Sequence, residues 1–421
     1  MSFRIITAIV LLTGIPTALN ANGFRLVSQD AYAAARGEAF AATADNPSAI
    51  HYNPAGISQL DGQQFRLGAY ALHFEPTFSP PEGASNAGET YGIEENDALA
   101  PQLYYTYGIP DCPLTMGLGA YAPHGAKVTW PQDTGFRTVA IDGELTYMRV
   151  NPVVALEIRP GLSFAIGVML DDASMSSSQG LRRRESPLLN SFEFEGDARG
   201  TGYNVGLLWQ INDQWSFGAT YRSRTRLNFD GTTTILYWPT ILTPTEVPAE
   251  MEMEFPYTAV FGLSYRPTER WNIEFNADYT GWSSIQSTEI RQKEKPPFPV
   301  KQDIAVTQEW KGSWLLKLGA TRFFDHGWSA SVGYVFNENS VPYDYYNPVV
   351  ADLDRHFFTL GIGRQWSRYS VDLAYQYGFA PKREVSGSKP PSLPGNFAGQ
   401  NGDGTYDFES HALLLSFGVK F

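Results

Sequence analysis

The chain has 421 residues, one cysteine and a formal net charge of −13, with 14% aromatic residues and 39 glycines. A lone Cys112 excludes an internal disulfide and any paired-cysteine metal or redox motif, and the acidic balance argues against nucleic acid as a partner. The aromatic and glycine content with a mean hydropathy of −0.26 favours strands and turns over membrane helices.

Residues 1–21, MSFRIITAIVLLTGIPTALNA, place Arg4 before an apolar run from Ile5 to Leu12 and then small residues. That is the pattern of a secretory signal peptide, and the run is too short to span a bilayer as a helix. Cleavage after Ala21 leaves a chain beginning Asn22-Gly23-Phe24.

Residues 22–60 do not read as strand. SQDAYAAARGEAFAATA predicts a short helix from about Asp30. Asn46-Pro47 and Asn53-Pro54 each have the form of a helix N-cap followed by proline at the first helical position, with Ala55 completing an Asn-Pro-Ala triplet. Such a segment satisfies its own backbone, as a plug inside a barrel or as a tail of ordinary turns.

Strict alternation follows. In YSVDLAYQYGFA, Tyr369, Val371, Leu373, Tyr375, Tyr377 and Phe379 share one face while Asp372, Ala374 and Gln376 share the other. About fourteen such strands are predicted, near 63–76, 100–110, 113–131, 142–158, 160–176, 194–210, 214–232, 250–266, 271–290, 303–323, 327–340, 351–367, 369–386 and 405–421. Many exceed the five or six residues usual in globular sheets and match the 9–11 a tilted membrane strand needs. Alternate links are short, at 159–161, 211–214, 267–270, 325–327 and 367–368, and the others are long and polar. Short turns on one rim and long loops on the other indicate an all-β fold, a transmembrane antiparallel β-barrel of about fourteen strands. The last strand, HALLLSFGVKF, carries Leu413, Leu415, Phe417, Val419 and a terminal Phe421 on one face. Trp130, Trp209, Trp215, Trp271, Trp282, Trp310, Trp314, Trp328 and Trp366 are expected in the interfacial girdles of that barrel. So wide a barrel, left empty, would be a water-filled channel.

Within the third strand, Ala122-Pro123-His124-Gly125 interrupts the pattern. Proline cannot donate to a ladder and glycine weakens one, so a kink is expected there, either opening the wall or only shaping it. Arg222, Arg224 and Arg226 are expected on one strand face, and Lys311 and Lys317 on another. Turned to the lumen, these bases could receive a carboxylate, be solvated, or pair with acidic residues. No Gly-x-Ser-x-Gly elbow or HExxH motif accompanies the six histidines, so neither catalysis, a cofactor nor a metal is expected. The acidic GIEENDA stretch reads as solvated loop charge.

NGFRLVSQDAYAAARGEAFAATADNPSAIHYNPAGISQL, with YRSRTRLNFDG at 221–231 and VPYDYYNPVVADLDRHFFTLGIG at 341–363, resembles the FadL family of outer-membrane channels for long-chain fatty acids and other hydrophobic molecules. The resemblance covers essentially the whole chain after residue 21. It implies a hatch over 22–60 plugging a barrel over 61–421. A ligand pocket beside Asn22, Gly23 and Phe24 and a lateral exit through the kink at Ala122, Pro123, His124 and Gly125 are also implied. Lys311 falls where fatty-acid-binding members have a basic headgroup contact. The second such contact lies late in the fifth strand, where DDASMSSSQG has no base, although Arg182, Arg183 and Arg184 follow. The expected activity is passive uptake of fatty acids or of aromatic or aliphatic hydrocarbons by a monomer. Its surroundings would be the bilayer and lipopolysaccharide of a bacterial outer membrane. The alternative is a general diffusion porin.

Overall fold

Alternation of apolar and polar side chains produces long strands that close on themselves. The structure, a computed structural model, describes residues 23–181, 190–237, 241–298, 300–350, 352–391 and 399–421. The signal-peptide stretch, Asn22 and Arg182, Arg183 and Arg184 lie outside the described residues. Fourteen strands form the wall. They are β1 (Gly62–Ser79), β2 (Asp97–Gly108), β3 (Leu114–Tyr121 and Gly125–Thr129), β4 (Asp142–Arg159), β5 (Leu162–Gly180), β6 (Ser191–Gln210) and β7 (Trp215–Arg222 and Thr225–Tyr237). They continue as β8 (Ile241–Phe255 and Thr258–Thr268), β9 (Trp271–Thr280 and Ser287–Gln292), β10 (Asp303–Thr307 and Ser313–Phe323), β11 (Trp328–Asn337), β12 (Arg355–Gln365), β13 (Tyr369–Phe379) and β14 (Gly404–Lys420). Each pairs antiparallel with its sequence neighbours. β1 closes the ring on β14, from Gln64 opposite Lys420 to Ser79 opposite Thr405. Closure pairs the groups that an open sheet would leave at its edge, which lipid cannot solvate.

The two faces are inverted relative to a soluble sheet. Leu413, Leu415, Phe358, Leu360, Ile362 and Val332 point outward and are exposed, whereas Asn151, Asn204, Glu274, Asp278, Lys317 and Asp372 point inward and are buried. An apolar exterior over a polar interior is what a membrane barrel requires. Six of the tryptophans expected in girdles, Trp209, Trp215, Trp271, Trp314, Trp328 and Trp366, are exposed on this outer surface. Trp130, Trp282 and Trp310 are not: all three are buried on the inner side. Local breaks in β9 and β10 turn Trp282 and Trp310 inward, and Trp130 donates from Nε1 to Pro348 O at 3.1 Å.

Residues 23–60 pack inside the ring. Helix α1 (Ala31–Ala35) is capped by Asp30, whose side chain accepts from Tyr32 N and Ala33 N. Asn53 caps a 3-10 helix, Pro54–Gln59, with Pro54 in its first turn, as expected. Asn46 differs. Its Oδ1 accepts from Ser48 N at 2.8 Å, making a turn just ahead of helix α2 (Ala49–Tyr52), so it shapes the approach and does not cap the helix itself. The small residues of this segment meet glycines of the wall. A Cβ on Gly319 of β10 or Gly333 of β11 would collide with the backbone of Arg36 and Gly37, so only glycine admits the backbone of the buried segment there.

Buried ion pairs tie the segment down. Arg66 of β1 bridges Asp30 at 2.5 Å and Asp372 of β13 at 2.8 Å. Glu274 of β9 accepts from Ala42 N at 2.8 Å and lies 3.6 Å from Arg36. Removing one partner of such a pair typically costs about 3–5 kcal/mol, because the other charge stays buried.

Candidate functional site

Five strands lose regular pairing around the start of the buried segment. β3 breaks at 122–124, β7 at 223–224, β8 at 256–257, β9 at 281–286 and β10 at 308–312. The arm of residues 23–26 threads among these breaks. Phe24 packs on Trp282 and Trp310, with ring centroids 6.3 and 5.4 Å away. Gly23 sits at φ +63°, and a Cβ there would lie 2.6 Å from the Trp282 ring. Glycine is required on both counts, conformation and space.

The arm completes the broken ladder of β3. Leu26 N donates to Pro123 O at 2.9 Å, and Gly125 N donates to Phe24 O at 2.9 Å. Gln29 Nε2 donates to Ala122 O at 2.7 Å. The ladder between β2 and β3 runs from Gly108 opposite Thr115 to Gln102 opposite Tyr121 and stops there. Beyond the kink, Gly125–Thr129 pairs with β4 on its other side. Contact across the gap resumes near the loop rim, where Glu94 N donates to Thr129 O at 2.9 Å and Lys127 meets Glu95 at 2.5 Å.

Outward of Phe24 lies an apolar cavity of 160 Å³. Its wall includes Phe24, Met251 and Met253 of β8, Phe192 of β6, Trp310 and the loop residues Val349 and Val350. Ala126, just past the kink, also lines it. Besides Tyr345 and Tyr346, the lining includes the carboxylates of Asp142 and Glu144 and the ammonium of Lys389. Lys389 is paired with Asp344 at 2.8 Å, so among the described residues the cavity presents no unpaired base.

The basic residues expected to line the lumen are separated by the strand breaks. Ser223 and Arg224 leave the strand, and this extra residue resets the alternation of β7. Arg222, before the reset, points inward and is buried. Arg224 and Arg226 instead point outward and pair with Glu254 at 3.1 Å and Glu252 at 3.3 Å. The expectation of one shared face fails for that reason. Lys311 and Lys317 are likewise split. Lys311 lies in the break of β10 and is exposed, whereas Lys317 is buried and meets Asp278 at 2.8 Å. The same Asp278 oxygen receives Arg25 of the arm at 2.8 Å. Lys317 thus shares the acid that anchors the arm. Glu38, inside the buried segment, accepts from Tyr52 Oη at 2.5 Å, and burial pushes its carboxyl up from 4.5 to about 7.

Several site residues were missed by pattern reading. Met251 and Met253 alternate with glutamates in MEMEF, a period-two signal that places the methionines inside. Arg25, Trp282 and Trp310 carried no local signal, because their roles depend on breaks in distant strands.

The family model described as outer membrane protein transport protein (OMPP1/FadL/TodX) matches residues 12–421. A long-chain fatty acid transport protein of Escherichia coli O6:H1 is 20% identical, over 90% of this chain and 89% of its own. The fold is similar to the crystal structure of a FadL homologue from Pseudomonas aeruginosa, with a TM-score of 0.82 at 18% identity, covering 95% of this chain and all (100%) of that one. It is also similar to the Pseudomonas putida toluene transporter TodX, with a TM-score of 0.71 at 16% identity, covering 94% and 99% of the two chains.

Proposed function

The chain belongs to the outer membrane protein transport protein family (OMPP1/FadL/TodX), a β-barrel of the bacterial outer membrane, and on that premise we propose that it passively admits uncharged hydrophobic molecules. The cargo enters from the loop rim and rests in the cavity outward of Phe24. It leaves sideways through the gap between β2 and the kinked β3. The observation that carries this reading is adjacency: Phe24 caps the cavity while its carbonyl holds Gly125, and Ala126 lines the same cavity. A shift of the arm at Phe24 would therefore alter the pocket and the gap together. Release into lipid follows from the cargo's chemistry, since each CH₂ returned to water costs about 0.8 kcal/mol.

The cavity's size and charge narrow the cargo. An apolar cavity near 150 Å³ is enough to hold a benzene ring, and this one is 160 Å³. The described lining residues include two acids and one base already paired, which disfavours a carboxylate there. We therefore place single-ring aromatics and short alkyl chains ahead of long-chain fatty acids. One further feature supports a gated channel over a diffusion porin: the described residues 23–60 occupy the lumen.

The test is uptake of radiolabelled toluene and of oleate by cells that lack their own hydrophobic-compound channels and express this one. Faster toluene entry than in empty-vector cells, at unchanged entry of a small polar solute, is expected. Equal stimulation of polar solute entry would indicate a diffusion porin, and stimulation of oleate alone would reassign the cargo.

A further inference from the structure

Successive residues of an extended arm point to opposite sides. Phe24 faces the apolar cavity, and Arg25 faces a second cavity, of 20 Å³, behind the kink. That second cavity is lined by Pro123, Phe255 and Pro256 together with polar groups from residues 25 and 51, β3, β4, β7 and β8, and no Asp or Glu is among its described lining residues.

Three guanidinium groups reach it. Arg25 is neutralised by Asp278 at 2.8 Å, and Arg149 by Asp171 through two hydrogen bonds of 2.6 and 2.9 Å. Arg222 has no such acid among the described residues. It points inward as the last residue of the regular stretch before the bulge at 223–224, is 6% exposed, and its Nε and Nη2 have no hydrogen-bond partner among the described residues. The orphaned atoms around it belong to the same cavity: Thr225 Oγ1, Thr258 Oγ1, His51 Nδ1 and His124 Nδ1. All four of these residues are at least nine-tenths buried.

A buried cation without a partner costs several kcal/mol. Water can occupy hydroxyl and imidazole groups but leaves that charge uncompensated. A cation is excluded by the sign of Arg222. The volume corresponds to one or two water-sized atoms, at about 10–15 Å³ each.

We propose that this cavity is a binding site for one small monovalent anion, a halide or the carboxylate end of a passing molecule, clamped between the hatch, the kinked β3 and strands β7 and β8. Arg222 supplies the charge, the two threonine hydroxyls donate, and an imidazole N–H completes the shell. The anion joins the arm to the kink from the side opposite the apolar cavity. This site is independent of the cargo assigned above.

The test uses the full barrel in detergent, crystallised in sodium bromide, with diffraction recorded at the bromine absorption edge. A single anomalous peak within hydrogen-bond distance of Arg222 is expected in the wild type, and its loss in Arg222→Met. A wild-type cavity without bromine, or a peak that persists in Arg222→Met as an adventitious ion only, overturns the proposal. Thr258→Val serves if Arg222→Met fails to fold. It should weaken bromide binding roughly tenfold, the loss of one hydrogen bond to a charged group, and unchanged affinity counts against the site. Adding hexanoate separates the two sources. Displacement of bromine assigns the site to carboxylate ends, and retention assigns it to free halide.

Discussion

Arg25, at the start of the buried arm, donates from Nη2 to Asp278 Oδ2 of β9 at 2.8 Å. The contact fixes the residue beside Phe24 to the barrel wall, and Lys317 reaches the same oxygen at 2.8 Å. The ion pair is thus the fastening of the arm that separates the apolar cavity from the kink.

Asp278→Ala leaves two buried cations facing each other. A loss of about 3–5 kcal/mol is expected where one partner of a buried pair is removed. The arm should then detach before the barrel unfolds. Arg25 is buried, so trypsin should not cut after it in the native protein but should do so in the variant. Continued protection of that bond in Asp278→Ala would show that the arm is held by other means.

Gly23→Ala should disturb the cavity without touching its lining. The position combines φ +63° with a Cβ 2.6 Å from the Trp282 ring. An incompatible substitution at such a site costs about 1 kcal/mol or more. Phe24 should shift off Trp310, visible as a change in tryptophan emission, and affinity for an apolar probe should fall roughly fivefold. Unchanged emission and affinity would contradict the packing described.

Replacing Pro123 and Gly125 together with valine should let β3 pair further along β2. Valine supplies the donor that Pro123 lacks and favours a regular strand. Uptake of apolar cargo is expected to fall several-fold while the barrel keeps its heat-modifiable migration on gels. Unaltered uptake by a folded double variant would remove the kink from the route.

The hatch should tighten at acid pH. Burial raises the Glu38 carboxyl from 4.5 to about 7, with Tyr52 donating to it. A raised folded-state pKa contributes stability that is complete below the unfolded value and lost as pH rises through the folded one. The window is therefore pH 4.5 to 7. Amide exchange across residues 28–52, corrected for intrinsic rates, should be slower relative to the unfolded chain at pH 4.5 than at pH 8. Glu38→Gln should abolish that difference, and its persistence in the variant would assign it to another group.

Much of this architecture can be read from local pattern. Strand number and loop sorting follow from period-two alternation, and Asn53-Pro54 caps a helix as its residue types dictate. The interior geometry could not be read the same way. A one-residue reset at Ser223 and Arg224 leaves Arg222 inward but turns Arg224 and Arg226 outward, and alternation carries no mark of where such a reset falls. Trp282 and Trp310 resemble girdle residues by type, yet breaks in β9 and β10 place them against Phe24. Lys311 and Lys317 are six positions apart and should share a face, but the irregular stretch 308–312 intervenes. Each failure lies where the wall departs from a regular ladder, which is where the site is built.

If apolar cargo occupies the cavity between Phe24, Trp310 and the outer loops, crystals soaked in iodobenzene should reveal it, because iodine marks the ligand unambiguously. An iodine peak is expected inside that cavity, in contact with Phe24 and Met253. Iodine confined to the lipid-facing surface, with the cavity holding ordered water, would exclude that placement.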